Sequence, residues 1–330
     1  AEVDQYDYQS NTNTSGVLQL GLANVADVDQ VAMYGGANDS NVAQAGAVNY
    51  ADVNQNAGYD HEWQSLDFDL VCTGSFMGFC YRWELEVTVV DHTTPIPGGT
   101  NESNVAQLGV ANHALINQNA VNGGANISDV AQLGALNFGF ITQNAGGVES
   151  ILGFPIPVDG GTNISALAQA GFLNFGFINQ NAILGGMNVS GVAQLGALNG
   201  ARIAQNAIGG MNVSGVAQAG VLNGAWIAQD ALGGINESGV AQLGALNGAW
   251  IDQDAGLLGV NLSNVAQAGL FNGAWIAQNA LGGINVNTLA QIGVGNVGLV
   301  NQTAFGGINK SAHVQVGYGN LYTASQTAIY

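Results

Sequence analysis

The chain has 330 residues, a length that suits two or three ordinary domains, yet only 8% of them are charged, and 50 are Gly against 4 Pro. Its 22 acids and 3 bases (Arg82, Arg202 and Lys310) leave a net charge of −19, which excludes a nucleic-acid binder and disfavours an anionic membrane surface, because three scattered cations build no basic patch. Hydrophobic residues at 47% exclude a solvated, disordered chain.

Residues 1–12 form an acidic, aromatic N-terminal segment, and a chain opening on Ala1-Glu2 suits a mature secreted protein whose leader has been removed. From residue 13 the pattern N-x(5)-Q-x(4)-N-x(5)-Q occurs eleven times, with Gly two residues after the first Gln in every copy. Copies one and two occupy residues 13–58 and carry Asn13, Gln19, Asn24, Gln30 and then Asn38, Gln44, Asn49, Gln55. An insert at 59–100 follows, then copies three and four at 101–145, a short insert at 146–162, and copies five to eleven at 163–330. Within the last block lie Asn212, Gln218, Asn223, Gln229; Asn236, Gln242, Asn247, Gln253; and finally Asn309, Gln315, Asn320, Gln326. Residues 160–201 hold no charge, but Asn, Gln or Gly interrupts them every few positions, so no membrane insertion is expected.

One copy explains the pattern. Counted from Asn236 as offset 0, offsets 0, 2, 4 and 6 are Asn236, Ser238, Val240 and Gln242, and offsets 11, 13, 15 and 17 are Asn247, Ala249, Ile251 and Gln253. Each set has the period of one strand face. A turn with Gly244 joins them, and a second turn, usually Gly-Gly, leads to the next copy. A strand–turn–strand unit this short cannot bury its own apolar face, so copies must stack. The expected fold is all-β: a parallel β-solenoid of eleven strand–turn–strand rungs, two parallel sheets facing each other, with a β-hairpin insert. An inward Asn or Gln avoids the cost of an unpaired amide by stacking on its copy one rung away, as in cross-β ladders. A register slip would bury unmatched amides, so the ladders also set register.

The insert at 59–100 changes composition, with two Trp, two Cys and two His. Residues 63–71 and 81–90 read as two strands, with Leu66, Phe68 and Leu70 facing Val87, Leu85 and Trp83. Cys72 and Cys80 then flank the tip, and a disulfide between them is expected in a secreted chain. His61 and His92 sit at the two ends of the hairpin beside Asp60, Glu62 and Asp91, a weak candidate metal site without sharp ligand spacing. Both inserts return through similar words, Pro95-Ile-Pro97 and Pro155-Ile-Pro157, and should leave from one corner of the solenoid.

The repeat resembles that of the curlins, the secreted subunits of curli-type bacterial functional amyloid, in residue type and in the spacing of Gln, Asn and Gln with Gly after the first Gln. Asn stands here where curlins usually place a leading Ser, with Ser often two places later (Ser190, Ser214, Ser238), and Gln315-Val-Gly-Tyr-Gly-Asn320 is similar to a curlin C-terminus. The chain departs from the best-known curlins in having more copies and a Cys-containing insert. The resemblance implies a secreted, extracellular subunit that polymerises with itself, served by nucleator and secretion accessory proteins. It also implies that residues 1–12 occupy the place of a secretion-targeting segment.

Catalytic signatures are missing: there is no G-x-S-x-G, H-E-x-x-H or P-loop, and no cofactor is implied. The expected function is therefore structural, an end-to-end fibre of the extracellular matrix. The alternative is a monomeric β-solenoid adhesin or binding module acting through its insert. Offset 14 points outward and is aromatic at Phe140, Phe177, Trp226, Trp250 and Trp275, the last three on consecutive rungs, so a stripe of rings is expected on the outer surface.

Overall fold

The strict alternation of inward and outward residues is realised as strand pairing throughout. The computed structural model describes residues 1–8, 11–76, 79–151 and 154–330, and every element among them is a strand. Each rung consists of a leading strand and a trailing strand. Rung 1 is Thr12–Leu22 and Val25–Met33, rung 7 is Met211–Val221 and Gly224–Leu232, and rung 11 is Ile308–Tyr318 and Leu321–Ile329. Leading strands form one parallel sheet of eleven, and trailing strands lie in a parallel sheet of twelve, so the expected solenoid is the observed fold.

Register is uniform. Asn212 pairs with Asn236 and Gln218 with Gln242, and the same match holds across the first insert, where Asn38 pairs with Asn101 and Gln44 with Gln107. The inserts therefore interrupt the chain without interrupting either sheet. Both leave the corner between a trailing strand and the next leading strand: one between Ala57 and Thr100, the other between Ala145 and Thr162. The core is one layer thick, with Val240, Ala249 and Ile251 buried in rung 8 and their equivalents above and below. A further buried row at offset 19, including Ala32, Ala57, Ala231 and Ala255, lines the corner and was not part of the sequence pattern.

The turn after the leading strand accounts for the invariant Gly. Gly220 has a φ of +131°, and a Cβ there would lie 1.8 Å from the carbonyl oxygen of Gly244 on the next rung. Only Gly meets both demands.

One expectation needs correction. The first insert is a hairpin of Tyr59–Phe76 with Phe79–Ile96, longer than expected, and Leu66, Phe68 and Leu70 pair with Val89, Val87 and Leu85. The pairing continues to Phe76 opposite Phe79, one residue further along than the centre assumed, and this shifts every partner by two. The second insert is also a small hairpin, Gly147–Ile151 with Phe154–Val158. The N-terminal segment adds to the solenoid: Glu2–Tyr8 pairs in parallel with Val25–Met33 and is the twelfth strand of the trailing sheet.

Candidate assembly interface

The four amide rows are continuous hydrogen-bonded ladders with fixed polarity. In the leading sheet Gln218 Nε2 donates to Gln242 Oε1 at 2.8 Å and receives from Gln194 Nε2 at 2.9 Å. Its other donor position reaches the Gly200 carbonyl at 3.0 Å, which fixes the orientation of the amide. The trailing Gln row runs the same way, Gln229 Nε2 donating to Gln253 Oε1 at 2.7 Å. Both Asn rows run the other way: Asn236 Nδ2 donates back to Asn212 Oδ1 at 2.9 Å, and Asn247 Nδ2 back to Asn223 Oδ1 at 3.0 Å. Inward Ser residues link the sheets, a role the sequence pattern did not assign. Gln205 Nε2 donates to Ser214 Oγ at 3.1 Å and Gln229 Nε2 to Ser238 Oγ at 3.0 Å.

This polarity makes the two end faces different. On the rung 11 face, among the described residues, Gln326 Nε2 donates only to the Lys310 carbonyl, and Gln315 Nε2, lacking a next Gln, turns to the Asn320 carbonyl at 3.0 Å. No donor among the described residues reaches Asn309 Oδ1 or Asn320 Oδ1. On the rung 1 face Gln19 donates inward to Gln44 at 2.7 Å; among the described residues its own Oε1 has no donor, and Asn24 Nδ2 has only backbone carbonyl partners. The remaining two groups of that face are already engaged by the N-terminal strand. Gln5 Nε2 donates to Gln30 Oε1 at 2.7 Å, and Asn13 Nδ2 donates to Asp7 Oδ1 at 2.6 Å and to the Tyr6 carbonyl at 2.9 Å. All twenty ladder residues singled out from sequence thus stand in these rows, with Gln5 and Asp7 as additional members.

The outer surface carries the expected stripe. Trp226 and Trp250 stack at 4.4 Å between centroids, and Trp250 and Trp275 at 5.0 Å. Arg202 fills the gap in the row, its guanidinium 4.5 Å from the Trp226 ring and 5.4 Å from Phe177, so the stripe is joined by a cation. A second aromatic row at offset 12 was missed: Tyr50, His113, Phe138 and Phe175 lie on successive rungs, with Phe138 and Phe175 stacked at 4.8 Å. Phe140 approaches it through His113 at 5.7 Å. On the other sheet the outward Ala row, including Ala217, Ala241 and Ala266, runs beside Leu195 and Leu243 to form an open apolar groove. At the corner, exposed Leu198, Leu222, Leu246 and Phe271 extend the apolar surface towards the Trp stripe.

Carboxylates concentrate at the rung 1 end of the trailing sheet. Glu2 pairs with Asp27 and Asp4 with Asp29, and Asp27 pairs in turn with Asp52. Burial first, then neighbouring acids, pushes Asp29 and Asp52 up from the ordinary carboxylate value. Asp230 and Asp252 are pushed up in the same order of causes further along the solenoid.

The cysteine and histidine expectations fall in the first hairpin. Its register sets Cys72 opposite Trp83 and Cys80 opposite Ser75, so the cysteines are not cross-strand partners. His61 pairs with Thr94 and His92 with Trp63, one diagonal step apart. The side chains of all four lie outside the described residues. No family model matches the chain, and no curated protein matches its sequence.

Proposed function

We propose that this chain is a secreted structural subunit that polymerises end to end into a curlin-like cross-β fibre of the extracellular matrix. On this reading it acts in adhesion and surface attachment and is not an enzyme. The observation that carries the reading is the complementarity of the end faces. One face offers Gln315 and Gln326 as donors and Asn309 and Asn320 as acceptors, while the other offers the Gln19 oxygen and the Asn24 amide, with the matching Gln30 oxygen and Asn13 amide held by Glu2–Tyr8. A second copy stacked head to tail continues all four ladders with their polarity unchanged once Glu2–Tyr8 gives up the Gln30 oxygen and the Asn13 amide. Head-to-head stacking sets like groups against each other. The unpaired edge of an end strand is itself a template for pairing. Accessory nucleation and secretion proteins belong to the same proposal.

A monomeric adhesin acting through its insert is the second reading, favoured by the size of the first hairpin, whose strands of 18 residues exceed the 11 of a leading strand. Electron microscopy of the pure chain diluted from denaturant separates the two. Unbranched filaments from dilute protein support the fibre subunit. A solution that stays monomeric at every concentration contradicts it.

A further inference from the structure

The trailing sheet has twelve strands and the leading sheet eleven. A fibre in which both sheets stay continuous takes equal numbers from each copy. If Glu2–Tyr8 keeps its place and receives Leu321–Ile329 of another chain, the neighbouring leading strands Ile308–Tyr318 and Thr12–Leu22 stand two strand spacings apart, about 9.6 Å instead of about 4.8 Å. The Gln315–Gln19 and Asn309–Asn13 contacts are then out of reach. One strand per junction has to leave.

Glu2–Tyr8 has the properties of the strand that leaves. It precedes the first complete rung, so its departure breaks no pairing but its own with Val25–Met33. All seven of its residues are exposed, and Val3 is 41% exposed where its register partner Val28 is 0%. Its outward acids Glu2 and Asp4 lie against Asp27 and Asp29, and like charges directly opposite are unfavourable. Besides the backbone pairing, its holds are Gln5, Asp7, the Tyr6 and Tyr8 carbonyls, which accept from Asn13 and Asn11, and the edge contact of Tyr8 with Tyr34 at 6.0 Å.

Those holds are also the contacts that a second copy supplies. Gln5 takes the place in the ladder that Gln326 has in rung 11, and like the Gln residues of other rungs it reaches the Ser ahead of it, Ser15 Oγ at 3.3 Å. The Asp7 carboxylate gives Asn13 Nδ2 the acceptor that Asn13 Oδ1 gives Asn38 at 2.9 Å, a role open to Asn309 Oδ1 of another chain. By register, Thr323 and Ser325 replace Glu2 and Asp4 beside Asp27 and Asp29, so the exchange removes the like-charge pairs.

We infer that Glu2–Tyr8 is an internal stand-in for the last strand of a second copy, and that it leaves the edge of Val25–Met33 when Leu321–Ile329 of another chain binds there. This deepens, and rests on, the end-to-end reading. The strand is a self-cap that lowers the population of assembly-competent ends.

Two experiments test it. A chain lacking residues 1–8 is compared with the full chain for elongation from preformed fibres. The expected gain is on the order of tenfold, as for a competent state populated at roughly a tenth. Equal or slower elongation of the shortened chain overturns the inference and leaves the end-to-end reading standing. In the second experiment, Asp4→Cys with Asp29→Cys, at paired positions, is made in a chain carrying Cys72→Ser and Cys80→Ser. Oxidation ties the strand down. The oxidised chain should form no filaments, and the same chain after reduction should form them. Filaments from the oxidised, cross-linked chain overturn the displacement. Filaments from none of these chains, full-length included, would overturn the end-to-end reading and the displacement with it.

Discussion

Replacing Gln218 by Ala tests the ladders in the middle of the array, away from either end. Gln218 is 2% exposed and takes part in three hydrogen bonds: with Gln242, with Gln194 and with the Gly200 carbonyl. The substitution leaves Gln194 Nε2 one partner short and deprives Gln242 Oε1 and the Gly200 oxygen of their donor. At ~1–3 kcal/mol for each buried group left unsatisfied, three such groups cost about 3–6 kcal/mol once partial relaxation is allowed. The outward neighbour Ala217 is exposed, and Ala217→Ser should stay within about 0.5 kcal/mol. Denaturant melting of both variants, with filament growth in parallel, reads the difference. A solenoid couples each rung only to its neighbours, so the Gln218→Ala melt should also broaden as the array divides around rung 7. Equal midpoints for the two variants would refute the assignment of inward and outward faces.

Gly220→Ala should destabilise by about 3 kcal/mol or more, because the new methyl meets the Gly244 oxygen at 1.8 Å on a backbone with φ of +131°; a melt like the parent's would show that the turn yields freely. Asp230 is paired with Asp254, and burial followed by that neighbour raises the Asp230 pKa. The penalty on the ionised form is present above the raised folded value and disappears as pH falls through it. Stability should therefore be level above the raised folded value, climb as pH falls from it towards the ordinary carboxylate value of about 4, and gain nothing further below that. Asp254→Asn should lessen this dependence, leaving the part due to burial, and an unchanged pH profile would count against the Asp254 contribution. Deleting residues 59–97 should preserve filament formation, since Asn38 and Gln44 already pair with Asn101 and Gln107 across the insert; loss of filaments would make the hairpin part of the assembly contact. Changing Trp226, Trp250 and Trp275 together to Ser should keep single filaments while abolishing bundling or surface attachment, and bundling at the parent level would reduce the stacked rings to a shield.

Much of this architecture is legible before any coordinates, because each buried amide demands a copy of itself one rung away, and that demand writes the period into the chain. The N-terminal strand was legible in principle: Val3-Asp4-Gln5 repeats as Val28-Asp29-Gln30, 25 residues later, which is one rung. It escapes a search for the full pattern because it holds only the trailing half of a copy. The inward Ser residues at Ser214 and Ser238 were visible as a period-2 face, but nothing in a linear pattern says that their hydroxyls accept from a Gln of the preceding rung. Arg202 stood out only as one of three cations; its place between Phe177 and Trp226 follows from stacking, which brings residues 24 or 25 positions apart side by side. The hairpin register was the least accessible, since alternation alone is satisfied equally well by pairings two residues apart.

The axial repeat of the fibre tests the central claim most directly. The first hairpin marks each copy once, so electron microscopy or fibre diffraction can read the advance per subunit. Continuous sheets with eleven rungs per copy give about 53 Å over a rung spacing of ~4.8 Å. An advance of about 58 Å, twelve spacings, would mean that the N-terminal strand stays in place and the leading sheet is broken at every junction. Filaments with no axial repeat near either value, or assemblies joined only side by side, would contradict end-to-end growth altogether.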